Sequence, residues 1–367
     1  MESLSLSWRT ALLLFGAVQG LITAVGLLTI PVNRRANRFA AFILFVFILW
    51  MTPQIIGFSG FYQAFPWLTY LPTNWGLGYG AAIFLYCWSL VYGSLPRYWL
   101  LLFLPMGLQI AYYSVLFTWP TADKWAWDDT VHLPWVEPVE AGMALVFAML
   151  GVILGWRLVR RYRRWLREHV SNNETHDPRW VHHYFYALVI TLVWAFGEYL
   201  YRRFVGPISY EQGYPFYVWV SAITYWLGLE AWRHARIINP PMVPATDDDA
   251  EKPDRLNELA ARIRACVEDE ALYRDPSLTL ASLARHVASN TSSVSAAINT
   301  VLGRSFSDFV NEYRVATVKA SMLDTPQKTM LELALAAGFS SKTSFNRVFK
   351  AMTGQTPSAW RAASAKS

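Results

Sequence analysis

Leu331–Arg361 reads LELALAAGFSSKTSFNRVFKAMTGQTPSAWR. Just ahead of it stands Thr329, and Thr329 with Glu332 has the T-x-x-E spacing of a capping box. In such a box the two side chains each satisfy a backbone donor at a helix start. The box predicts a helix over Met330–Ala337. Gly338 then permits a tight turn, and Ser340 is placed to cap a second helix, Ser341–Met352. Within that helix Phe345, Val348, Phe349 and Met352 recur at i, i+3, i+4 and i+7, which predicts a core-facing stripe. Ser341, Lys342, Thr343, Asn346, Arg347 and Lys350 are left for the solvent side. Arginine suits a guanine edge, asparagine an adenine edge and lysine a phosphate. Any one of these residues alone is an ordinary solvated side chain. Together, behind a capped turn, they point to double-stranded DNA.

A related pattern lies upstream. Thr279 is a candidate cap for Leu280–Val287, with Leu283, Ala284 and Val287 facing inward. Ala288–Ser289–Asn290 forms the turn, and Asn290 is placed to cap Thr291–Leu302. There Val294, Ile298 and Val301 supply the buried side, and Gly303 ends the helix. Ser292, Ser293, Ser295, Ala296 and Asn299 are expected to be exposed, with Ser292, Ser293 and Asn299 the DNA-facing candidates. Before this unit, Arg255–Tyr273 reads as an amphipathic helix through Leu256, Leu259, Ile263, Cys266 and Val267. It is suited either to packing on the following domain or to pairing with a second copy as a homodimer.

With these residues in view, Leu278–Arg361 resembles the DNA-binding domain of AraC/XylS-type regulators, most densely in GFSSKTSFNRVFKAMTGQTPSAWR. The resemblance implies two helix–turn–helix units joined by a long helix, here near Phe306–Leu323. Their second helices would enter successive major grooves of a promoter. Ala296 and Ala297 stand where many relatives have a basic or large polar residue. The soluble ligand-binding barrel usual in the family is absent, and the layout is similar to its membrane-bound branch.

The rest of the chain differs in composition. Of 367 residues, 54% are hydrophobic and only 16% charged, against about 25% charged in soluble proteins. Charges are scarce before Arg157. Seven apolar segments are long enough to cross a bilayer, which takes about 20 residues: Trp8–Ile30, Phe39–Gly60, Trp67–Gly93, Tyr98–Trp119, Pro138–Leu158, Trp180–Phe204 and Tyr214–Trp232. Met1–Ser7 is not a basic leader and carries acidic Glu2, so no cleaved signal peptide is expected. Asn239–Pro253, with four prolines and the acidic run Asp247–Asp249, reads as a linker. The expected fold is all-α: a seven-helix transmembrane bundle over residues 1–236, a linker over 237–254, and the tandem helix–turn–helix domain over 255–367.

Seven crossings put the two termini on opposite faces, and positive charge selects the inner one. With the C-terminus inside, thirteen arginines, among them Arg34, Arg97, Arg157, Arg163 and Arg233, fall on the inner side. Only Arg9, Lys124, Arg202 and Arg203 fall outside. The expected location is therefore the bacterial inner membrane, with the N-terminus outside and the DNA-binding domain in the cytoplasm. Trp67, Trp119, Trp125, Trp127 and Trp135 form an outer aromatic belt, read as anchors in the lipid bilayer. The outer loop is expected over Pro120–Glu137.

Few polar groups enter the spans: Gln19, Gln54, Gln109 and Glu198. Glu198 is the one candidate for sensing, although Arg202, four residues on, is placed to pair with it. His176, Asp177, His182 and His183 lack zinc-ligand spacing and read as solvated loop residues. Cys87 and Cys266 cannot make a disulfide framework. No cofactor, metal site or catalytic residue is expected. These features suggest a non-enzymatic transcription regulator that couples a small-molecule or membrane signal to promoter binding. A membrane enzyme or transporter with an autoregulatory DNA-binding tail is the alternative. A tail that docks a protein instead of DNA is a third possibility.

Overall fold

The computed structural model describes residues 7–172, 178, 180–237, 240–242, 253–325 and 327–364. These residues are helical apart from turns and one isolated bridge, Val170 to Thr279. The chain forms two compact units. One comprises Met1–Arg160 with Pro178–Pro241; the other comprises Arg161–Asp177 with Met242–Ser367. The C-terminal unit thus includes a stretch that the sequence reading left with the bundle. Most of the expected linker, and His176 and Asp177, lie outside the described residues.

In the first unit α1 (Trp8–Thr29) starts where the Ser7 hydroxyl accepts from the Thr10 amide at 3.2 Å. It buries Leu13, Gly16, Gly20, Ala24 and Leu27, while Phe15 and Ile22 are 66% and 68% exposed. α2 (Arg34–Phe58) packs beside it and carries Pro53 in its interior. The third expected span is interrupted. After the short α3 (Phe61–Ala64) and a 3-10 turn at Pro66–Leu68 the chain is irregular, and regular helix resumes only with Gly76–Gly78 and α4 (Tyr79–Tyr92). Pro66 and Pro72 explain this, since each lacks an amide donor and disfavours helix in the residue before it.

A 3-10 turn, Trp99–Phe103, leads into α5 (Leu104–Phe117). The stretch expected to be an outer loop is instead helical: α6 (Thr121–Trp127) runs into a wider-wound segment, Asp128–Val136, and on into α7 (Glu137–His169). α8 (Trp180–Phe204) follows. α9 (Tyr210–His234) begins four residues earlier than expected, because Ser209 and Gln212 form a capping box.

Among the described residues five helices are long and apolar enough to cross a membrane: Trp8–Thr29, Arg34–Phe58, Trp99–Phe117, Thr121–His169 and Trp180–Phe204. Gly76–Tyr92 is apolar but shorter, and α9 has the length without matching apolarity. Gly80 on α4 and Gly151 on α7 bring those two helices together backbone to backbone. A Cβ on Gly80 would meet the Phe147 carbonyl, the kind of close approach that small residues allow between helices.

The described residues of the second unit that follow the expected linker form α10 (Pro253–Asp269), α11 (Leu280–His286), α12 (Thr291–Ala296), α13 (Phe306–Asp324), α14 (Met330–Ala336), α15 (Lys342–Thr353) and α16 (Pro357–Ser364). This unit has two cores. Leu259, Ile263 and Val267 of α10 pack with α11, α12 and the first half of α13, so α10 serves its own domain's core. The second half of α13 packs Val315, Val318 and Met322 against α14 and α15. α13 is the shared wall.

Candidate nucleic-acid interface

The second helix–turn–helix unit forms from the caps outward. The Thr329 hydroxyl accepts from the Glu332 amide at 3.2 Å, and the Glu332 carboxylate accepts from the Thr329 amide at 2.7 Å. Those bonds to Thr329 hold the Glu332 carboxyl below the usual range. Gly338 has φ +95°, and a Cβ there would run into the Tyr273 carbonyl. The turn thus needs glycine for both conformation and space. The next helix is capped by Ser341 and not by Ser340. At Ser341 the chain is still extended, and its hydroxyl accepts from the Ser344 amide at 3.2 Å.

α15 presents two faces. Ser344, Phe345 and Phe349 are buried, with Phe345 between Phe339 at 5.3 Å and Phe349 at 5.5 Å, ring centre to ring centre. Met352, expected in this core, is exposed, because it lies past the Phe349–Trp360 contact that closes the core. Lys342, Thr343, Asn346, Arg347 and Lys350 are all exposed on the other face, and Ser341 is exposed at its start. Arg347 lies in the field of Arg163, from the end of α7. Partial desolvation first and that like charge second hold its guanidinium below the usual arginine range.

The first unit keeps its expected caps. The Thr279 hydroxyl accepts from the Ser282 amide at 3.1 Å, and Asn290 Oδ1 accepts from the Ser293 amide at 2.7 Å. Its second helix differs from expectation. After α12 the winding widens over Ala297–Val301, which turns Val301 outward to 39% exposure. Ser293 is buried at 7% beside Val294. It sits inside the helix–helix contact and so is not on a DNA-facing surface. Ser292 is half-buried, and Asn299 is exposed with its amide donating to Ser295 Oγ at 3.2 Å. The first unit's outer face is thus short and uncharged, as Ala296 already indicated, whereas Ala297 is buried in the core.

Sequence reasoning missed a fully buried arginine inside the C-terminal unit. Arg314, midway along α13, is fully buried. Its Nε donates to the Tyr273 carbonyl at 2.7 Å, and Nη2 donates to the Asp275 carbonyl at 2.8 Å and to Ser171 Oγ at 3.1 Å. Nη1 donates to Asn172 Oδ1 at 3.2 Å. Burial pulls the guanidinium down to about 10 against the field of Asp275. Ser171 and Asn172, just past α7, are themselves held: the Ser171 hydroxyl donates to the Leu278 carbonyl at 2.7 Å, and Asn172 Nδ2 donates to the Pro276 carbonyl at 2.6 Å. The Ser307 hydroxyl donates to the Ser171 carbonyl at 3.1 Å. A buried arginine without such partners is costly. Its presence in a helix core was the only available signal, and nothing local in the sequence names its partners.

Residues 283–363 match the sequence model of a helix-turn-helix domain family. The chain carries a C-terminal helix-turn-helix domain of the AraC type. Uncharacterized HTH-type transcriptional regulators of Staphylococcus aureus strains MSSA476, N315 and COL are each 36% identical to it over 108 residues. That similarity covers 29% of this chain and only 13% of each relative. No solved structure matches the chain. The C-terminal unit contains a helix-turn-helix domain, and DNA is the partner such a domain implies.

The other candidate residue, Glu198, is half-buried in the helical unit and lines a cavity together with Arg202. Arg202 forms its ion pair with Glu137, at 3.4 Å. His182 stacks edge-on against Trp156 at 4.7 Å, and His183 is exposed.

Proposed function

We propose that this protein is a membrane-integrated transcription regulator, in which the helical unit sits in the bacterial inner membrane and the C-terminal unit binds promoters from the cytoplasm. One observation carries the DNA-binding part. Behind a capped turn, α15 aims Lys342, Thr343, Asn346, Arg347 and Lys350 outward while its phenylalanines anchor it. Support for the membrane part comes from five long apolar helices and from the apolar side chains they turn outward, such as Phe15, Ile22 and Val193. The arginine bias supports a C-terminus on the inner side. The signal reaches the DNA reader through α7, whose continuation supplies Ser171 and Asn172 to Arg314, as well as through the linker after α9.

Two measurements test the reading. Promoter binding must weaken steeply as salt rises, since each neutralised phosphate releases counterions; an affinity indifferent to salt would point to a protein partner. A reporter fused behind Ser367 must be active in the cytoplasm. Activity confined to the periplasm would leave the domain without access to a promoter.

A further inference from the structure

The helical unit contains a partly open cavity of about 660 Å³, within the range that takes a small organic molecule. Its wall is rich in rings, with Trp50, Trp75, Tyr79, Tyr113 and Phe216 among them. Set into that wall is Glu140 of α7. Asn74 Nδ2 donates to its Oε1 at 2.6 Å, Gln109 Nε2 donates to the same oxygen, and the Tyr113 hydroxyl donates to Oε2 at 3.0 Å. All three donors are neutral, so they orient the carboxylate and leave its charge in place. Glu137, one turn earlier, is by contrast paired with Arg202 at 3.4 Å. The other lining guanidinium, Arg203, lies 5.9 Å from the ring of Phe204. The hydroxyl of Tyr79 is buried and finds no hydrogen-bond partner among the described residues, whereas buried polar groups ordinarily have one.

A carboxylate held among aromatic faces complements a cation, which is attracted by the charge and by the ring quadrupoles together. Glu140 already accepts three hydrogen bonds, so the best match is a cation that needs few donors of its own. We propose that the cavity binds an organic cation, an onium compound with an aromatic or branched apolar body, seated against Glu140. This rests on the reading of the helical unit as the part that receives the signal. The position suits that role: α7 carries Glu140 near its start, and the chain just past its end carries the two residues that hold Arg314.

The test uses the full-length chain in lipid nanodiscs, titrated calorimetrically with benzyltrimethylammonium, with benzyl alcohol as the neutral probe and benzoate as the anionic one. The expected result is saturable binding of the cation, about tenfold or more tighter than either control. Glu140→Gln should weaken the cation about tenfold, and Glu140→Asp should keep most of the affinity. Equal binding of the neutral or anionic probe, no saturable binding above empty nanodiscs, or full affinity in a folded Glu140→Gln variant would each overturn the proposal. Charge selectivity in the unmodified protein decides the matter even where the variants do not fold. The readout is cation binding alone, so its failure leaves promoter binding to its own salt test.

Discussion

The guanidinium of Arg314 donates to the Asn172 side chain at 3.2 Å although the two residues are 142 positions apart in the chain. The pair is the centre of a socket. On one side stand the carbonyls of Tyr273 and Asp275, which lead into the first helix–turn–helix unit, and on the other stands the segment that follows α7. Because α13 contributes to both cores, whatever holds its midpoint also bears on the relation between the two reading units.

Removing the arginine should therefore destabilise the whole C-terminal unit. Arg314→Ala strands several buried acceptors at once, and a loss of about 3–5 kcal/mol is expected on breaking so desolvated a cluster. Thermal unfolding of the full-length protein, followed by limited proteolysis of its C-terminal half, measures it. Stability unchanged by the substitution would show that the socket is not structural.

Ser171 and Asn172, the two residues past α7 that hold Arg314, should matter for regulation as well as for stability. Ser171→Ala and Asn172→Ala each remove a hydrogen bond from the charged Arg314 guanidinium, about 1.5–3 kcal/mol apiece, and leave the reading surface of α15 intact. Promoter occupancy in cells should change its response to signal while the operator sequence preference stays the same. A changed sequence preference would place these residues at the DNA instead.

On α15 the two kinds of contact separate. Arg347→Ala should relax preference at one base pair at a cost of about 1–3 kcal/mol. Lys350→Ala should weaken every sequence alike and reduce the salt slope by about 1. Quantitative binding to a panel of single-base operator variants distinguishes them, and a loss at one base only for Lys350 would contradict its phosphate role.

Gly338→Ala tests the turn. The residue sits at φ +95° and its Cβ would meet backbone of Tyr273 and Arg274, so strain and collision together should cost about 2 kcal/mol or more. A denaturant midpoint equal to that of the parent protein would refute the requirement for glycine.

The Thr329–Glu332 box makes a pH prediction. The folded carboxyl is held below its ordinary value by bonds from Thr329. A depressed carboxylate contributes fully above the unfolded value of about 4.3, and the contribution is lost as pH falls through the lower folded value. Glu332→Gln should accordingly lower stability at neutral pH and flatten part of the acid side of the stability curve, so that the difference from the parent disappears at low pH. An unaltered acid limb in the variant would show that the box does not titrate as described.

How much was legible in advance follows from the range of the forces involved. Thr279, Asn290, Thr329 and Gly338 declared themselves because caps and turns are settled within a few residues. The two faces of α15 were readable because helical period alone separates Phe345 and Phe349 from Arg347 and Lys350. Ser341 replaced Ser340 as the cap because one extended residue shifts a helix start without changing its pattern. The broken third span was written in Pro66 and Pro72, but the apolar run masked it.

The chain order by itself therefore determined the helices, their apolar stripes and the polar face offered by α15, since each depends on neighbours three or four positions away. Tertiary structure decided that Ser293 is buried, that Glu140 rather than Glu198 receives three neutral donors, and that Arg314 has partners at all. Those outcomes depend on groups contributed from distant parts of the chain, as with Asn172, and a side chain's desolvation exists only once such groups have come together.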